Sequence, residues 1–559
     1  AHPAAGPGPG AGQTCRMTVP IAPRPTTLLR GGTVHSPADP FATAMVVEGD
    51  RVAWVGSESA AESFADGADE IVELDGALVT PAFTDAHVHT TATGLALTGL
   101  DLTAATDPAQ ALAAVAAHNR ARPTDRVVLG HGWDSAAWPG GVVPTRAELD
   151  AAADGRPVYL TRVDVHSALA STALLDLVPG VTAMSGYHPD GPLTGDAHHA
   201  VRTAAHDTVT AEQRTHAQRA ALRHAASLGI GALHECAGPL ISGEDDFTGL
   251  LALAERESGP RVFGYWGEAV TSTRQLERVR DLGAVGAAGD LFVDGSLGSH
   301  TAHLHAPYDD ADHTGLAHID TAAVTAHVIA CTEAGVQAGF HAIGDAALTA
   351  VTDGVRAAAE HVGIDRVRAA RHRIEHAALL TDETLAAFAD LALTASVQPA
   401  FDAAWGGPDG MYASRLGAER AGRLHPFAAL LRAGVPLALG SDAPVTPLDP
   451  WGTLRAAAFH RTPEHRISVR AAFAAHTRGG WRALGRDGEG TLVPGAVADY
   501  AIWRAGGLVV QTADERVTRW STDPRSGTPG LPDLTPGEAL PECLRTVVGG
   551  RTVHDRLNG

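Results

Sequence analysis

Apolar and polar positions alternate at both ends of the chain and change rhythm in the middle. TLLRGGTVHS, AMVVEGDRVAWVG and EIVELDGALVTPAF near the start read as short strands with Gly-Gly or Gly-Asp at the bends. GTLVPGAVADYAIWRAG, GLVVQTADERVTRW and LRTVVGGRTVHD at the far end have the same character. Together these ends predict one small β-sandwich from residues 27–80 and 488–559. Between them lie eight apolar segments: AFTDAHVH, GALHECA, RVFGYWG, DLFVDGS, VQAGFHAIG, RHRIEHA, LTASVQPA and VPLALGSDAP. Helical stretches such as DAALTAVTDGVRAAAEHVG, TDETLAAFADLA and HPFAALLRAG separate the later ones, with Ala and Leu at helical spacing. Eight strands alternating with helices predict an α/β fold, a parallel (β/α)₈ TIM barrel over residues 81–98 and 211–487. Residues 99–210 are too many for one strand-to-helix connection. They include an apparent strand, RPVYLTRVDVHSA, and are predicted to form an inserted subdomain over the active-site face of the barrel.

Composition narrows the class without naming it. The chain has 559 residues, 45% of them hydrophobic, enough for a barrel and accessory units with a core of Ala, Val and Leu. A formal net charge of −22 repels phosphate backbones and anionic lipid, which argues against nucleic acid or membrane as partners. No run approaches the ~18 consecutive apolar residues of a membrane helix. Residues 1–26 read as a disordered tail or expression remnant without the apolar segment of a secretory signal, Met17 being a natural start. The scattered cysteines Cys15, Cys236, Cys331 and Cys543 suit buried thiols in a reducing cytoplasm. A small-molecule substrate is the expected partner, with a homo-oligomer the default assembly.

The chemistry begins with His87-Val88-His89 at the end of the first strand. Residues two apart on a strand share a face, so both imidazoles can reach one metal ion. Alone this is weak: the chain has 29 histidines, and His303-Leu304-His305 is a second such pair. Further candidates end three other strands: His341 in GFHAIGD, His376 in RHRIEHA and Asp442 in LALGSDAP. Five candidate ligands then converge at the C-terminal ends of four strands, where barrel enzymes keep their active sites.

TPAFTDAHVH, DGSLGSHTA, HAIGDAA, RHRIEHA, SVQP, GSDAPV-x₃-DP and GTLVPGAVADYAIW resemble the signature blocks of the amidohydrolase superfamily. The branch they most resemble contains N-substituted formamide deformylase, and the resemblance runs from about Leu28 to Val553. It implies that His87, His89, His341 and His376 are metal ligands, and that Asp442 binds the metal or its water and acts as general base. It implies hydrolysis of a C–N bond other than a peptide bond, such as an amide or formamide. A mononuclear deaminase and a non-catalytic regulatory or ligand-binding barrel are the alternatives.

In binuclear members of the superfamily a carboxylated lysine on the fourth strand bridges two metals. This chain contains no lysine, and Asp290 stands at that position. An aspartate is several ångströms shorter and bridges only if the backbone moves inward or a water intervenes. A single ion is therefore expected, Zn first and Fe, Mn or Ni as alternatives. Weaker candidates for substrate contact are Trp133 and Asp134 in GHGWD, His166 in RVDVHSA, His234 beside Glu235, and Arg415 in YASRLG. For each, an internal hydrogen bond or salt bridge is the ordinary alternative.

Overall fold

The computed structural model describes residues 24–135, 138–162, 167–511, 520–521 and 529–557. The expected N-terminal tail and His166 lie outside this range, apart from the last three residues of the tail. Eight parallel strands form one sheet in sequential order. They are β1 (Phe83–Val88), β2 (Ile230–Ala237), β3 (Arg261–Trp266), β4 (Gly286–Ala287), β5 (Gln337–Ala342), β6 (Arg373–His376), β7 (Thr394–Val397) and β8 (Leu437–Leu439). The edges meet beyond β1 and β8: Val88 bridges Ala443, and Asp442 N–H donates to the His87 carbonyl at 2.8 Å. That closes the (β/α)₈ barrel. β1, β2 and β6–β8 are buried along their whole length, as strands covered on both faces must be. Helices such as Asp345–Val362, Asp382–Asp390 and Phe427–Arg432 cover the outside.

The fourth strand departs from expectation. DLFVDGS is not the ladder; the paired residues are Gly286 and Ala287, and Phe292 makes only an isolated bridge to His341. Gly289 at φ +84° turns the chain out of the strand, a conformation an L side chain adopts at a cost. Asp290 follows immediately, past the strand and turned toward the barrel axis.

Both chain ends contribute to one five-stranded sheet, in the order Thr33–Val34, Leu78–Pro81, Tyr500–Arg504, Glu542–Val548, Arg551–Asp555. It packs on a four-stranded sheet of N-terminal strands through Leu29, Met45, Val47, Val79, Tyr500 and Ile502. After β1 the chain leaves through helix Thr90–Thr98 and returns through helix Ala211–Ser227, whose start is fixed by a Thr210/Gln213 capping box. Between these helices lies the insert, a four-stranded sheet with its own apolar core.

Candidate metal centre

The strand ends bring His87, His89, His341, His376, Asp290 and Asp442 together. Asp290 is the hub. Its Oδ1 lies 3.5 Å from His87 Nε2, 3.5 Å from His341 Nδ1 and 3.8 Å from His376 Nε2, and its Oδ2 lies 3.2 Å from His89 Nε2. Asp442 Oδ1 lies 3.1 Å from His89 Nε2 and 3.5 Å from His87 Nε2. The Asp290 carboxylate lies within 4 Å of all four imidazoles. Gly267, just after β3, makes room for the Asp290 backbone: a Cβ at Gly267 would stand 2.6 Å from the Asp290 carbonyl carbon.

Local backbone geometry does the rest. Glu375 and His376 are neighbours on β6 and would ordinarily face opposite sides. His376 and Ala377 take φ of 70° and 44°, and Asp442 takes 57°. Such left-handed conformations of non-glycine residues cluster at functional sites. Three of the four rings are anchored at the far nitrogen: His87 Nδ1 meets Glu375 Oε2 at 2.8 Å, His376 Nδ1 meets Gln398 Oε1 at 2.8 Å, and His341 Nε2 donates to the Gly295 carbonyl at 3.1 Å.

What remains fits a cation. His87 Nε2, His341 Nδ1, Asp290 Oδ1 and Asp442 Oδ1 are buried and have no hydrogen-bond partner. Stranded buried polar atoms cost roughly 1–3 kcal/mol each. Nearby, the ligand atoms of His87, His89 and Asp442, and those of His87, Asp290 and His376, lie within 4.8 Å of one another, close enough to hold a cation. Burial opposes charge on His87 and His89, yet the surrounding acidic groups hold both well above the ordinary imidazole range. Burial likewise pushes the Asp290 carboxyl up, and the facing imidazoles pull it well below the carboxylate range. A field this negative favours a divalent ion, whose binding releases protons from the imidazoles.

The weaker candidates fare differently. Trp133 is fully buried in the insert, its indole N–H donating to the Leu160 carbonyl at 2.8 Å, so it packs the insert core rather than facing substrate. Asp134 pairs with Arg162 at 2.6 Å. His234 is buried inside the barrel, where its Nδ1 accepts from Arg373 at 3.1 Å. Arg415 pairs with Asp310 and donates to the Gly298 carbonyl, tying the loop after β4 to helix Met411–Ala421, the ordinary salt bridge weighed for it. Glu235 accepts Thr90 N–H at 2.7 Å and so holds the helix that starts directly after His89. Arg373, Glu375 and Gln398 received no role from the sequence, although charged residues on a fully buried strand were a signal.

The amidohydrolase family profile matches residues 70–554. The chain is 29% identical over 526 residues to protein LONG AFTER FAR-RED 3 of Arabidopsis thaliana, covering 87% of this chain and 88% of that protein. It is 25% identical over 498 residues to N-substituted formamide deformylase of Arthrobacter pascens, covering 82% and 90%. A crystal structure of an uncharacterized metal-dependent hydrolase from Pyrococcus furiosus aligns with a TM-score of 0.71 at 27% identity, over 85% of this chain and 98% of that one. With its family profile spanning most of its length, the chain belongs to the amidohydrolase family.

Proposed function

We propose that this protein hydrolyses a non-peptide C–N bond, an amide or formamide, of a small molecule. In this reading His87, His89, His341, His376 and Asp442 hold one divalent ion, zinc, with Asp290 at their centre. The convergence of unpartnered buried ligand atoms on His87 Nε2 carries the proposal. Both Asp290 and Asp442 approach that same nitrogen, and its one lone pair serves one ion, which supports a single metal. The likeness to N-substituted formamide deformylase supports the choice of bond.

When bound, the ion supplies Lewis acidity and makes water acidic enough to act near neutral pH. Asp442, turned into the centre by its left-handed backbone, takes the proton of the attacking water and passes it to the departing nitrogen. The carbonyl carbon gains a C–O bond and loses its C–N bond, giving a carboxylic acid and an amine. Three buried, unpaired cysteines support a reducing compartment, the cytoplasm. No helix of the described residues is long and apolar enough to cross a membrane.

The first test is elemental analysis of the purified protein beside a His87→Ala/His89→Ala double variant. About one zinc per chain, lost in the variant, supports the reading and directs substrate screening to amides and N-formyl compounds. Two ions per chain overturn the single-metal reading and make Asp290 a bridge. No metal after reconstitution overturns the catalytic reading.

A further inference from the structure

Beneath the centre lies a charged pair that the proposed reaction does not use. Arg373 and Glu375 share one face of β6, and both are fully buried. Arg373 Nε donates to Glu375 Oε1 at 2.6 Å and Nη2 to Oε2 at 3.0 Å. The same guanidinium reaches the Ala86 carbonyl at 2.6 Å, Ser396 Oγ at 3.0 Å and His234 Nδ1 at 3.1 Å, and lies 4.3 Å over the Tyr265 ring. One side chain thus ties β1, β2, β3, β6 and β7 together.

Stability does not explain the pair. The desolvation of a buried ion pair offsets most of its attraction, and apolar replacements of similar volume are often as stable. Its outlet is His87: Glu375 Oε2, already held by Arg373, meets His87 Nδ1 at 2.8 Å. The other group within reach there is Cys236, which lies with His87 and Glu375 in one cluster of ligand atoms all within 4.8 Å. A thiol sulfur is a weak acceptor beside a carboxylate oxygen. Glu375 is then the acceptor that decides which nitrogen of His87 carries the proton.

We propose that the Arg373–Glu375 pair is a positioning device for the metal centre. Glu375 accepts Nδ1–H of His87, which leaves the Nε2 lone pair facing Asp290 and Asp442, and Arg373 holds the carboxylate in place through two hydrogen bonds. The inference rests on the metal-centre reading above. It adds that cation affinity is set one layer below the ligands, as partners of ligating histidines do elsewhere at 10–100-fold in affinity.

The test is zinc affinity by competition with a chelator, measured beside the melting temperature of the metal-free protein. In Arg373→Met/Glu375→Leu no charge is left unpaired, and the metal-free protein should melt within a few degrees of the parent. Its zinc affinity should fall 10–100-fold. Restoring an acceptor alone, in Arg373→Met/Glu375→Gln, should recover most of that loss. Glu375→Asp keeps a partner for Arg373 but withdraws the acceptor by one methylene, and should lose about 10-fold at an unchanged melting temperature; it stands as the test if the double variants fail to fold. Parent-like affinity in the Leu or Asp variant overturns the proposal, as does equal loss in the Gln and Leu variants. A parent protein that binds no zinc instead overturns the metal-centre reading itself.

Discussion

At the scale of single residues, the centre depends on conformations that side chains ordinarily avoid. His376 faces the same interior as Glu375 only because its φ is 70°, and Asp442 enters the centre with φ of 57°. Each such residue costs of order 1–3 kcal/mol, which the surrounding barrel supplies. Two outcomes follow. Gly267→Ala would drive a methyl group against the Asp290 backbone at 2.6 Å; the variant should melt lower and retain less metal after dialysis, and parent-like metal content would show that Asp290 is not held by this contact. Asp442→Asn, assayed at saturating zinc, should keep its fold while kcat falls 10²–10⁴-fold, the span of a lost general base. Unchanged kcat would remove Asp442 from the proton path. The candidate ligands were readable in the sequence because each sits in an apolar run that ends a strand. The role of Asp290 was not, because it depends on Gly267 and Gly289 admitting the backbone.

At the scale of elements, the strands read well where they are long and apolar, as in β1, β2 and β5, and poorly where pairing is short. β4 consists of two residues, and the DLFVDGS that resembles a strand is the loop delivering Asp290 and Asp294. Asp294 accepts backbone N–H groups of His303, Ile343 and Gly344 at 2.8–3.0 Å, fixing that loop to the end of β5. Two histidines behind the barrel give the elements a pH dependence. His327 Nδ1 accepts Val270 N–H at 3.0 Å, and His372 Nδ1 accepts Ala338 N–H at 2.9 Å. Burial pulls them down to about 4 and about 3, the second helped by His327 itself. The folded values lie below the unfolded value of about 6.5, so the unfolded chain alone takes up protons as pH falls. Their stabilisation is complete above about pH 6.5 and declines from there toward pH 4; at pH 5.5 each loses roughly 1.4 kcal/mol. Thermal melts at pH 7.5 and 5.5 should show a lower midpoint at 5.5, and a smaller difference in His327→Gln. Equal differences in parent and variant would exclude this histidine as a source.

At the scale of the whole molecule, the chain ends are part of the barrel's foundation. Trp503, on a C-terminal strand, donates to Thr80 Oγ1 at 2.8 Å, and its ring lies 5.7 Å from Phe83 and 5.3 Å from Trp451. Sandwich and barrel should therefore melt in one cooperative transition. Trp503→Ala should lower that transition by about 3–5 kcal/mol, as buried tryptophan truncations do. A calorimetric trace with two transitions, only one of them shifted, would show that the units unfold independently.

The sequence by itself determined the barrel, the sandwich built from both ends and the insert, and it named the histidine and aspartate candidates that the strand ends bring together. Each follows from local rules: period-two and helical spacing, strand ends, and ligand chemistry. Only the tertiary structure decided that Asp290 stands at the hub, that Trp133 packs the insert and that Arg373 and Glu375 support His87. Those roles depend on which side chains from distant strands share one dry interior. There, a hydrogen bond or an unpaired charge is settled by neighbours hundreds of residues away.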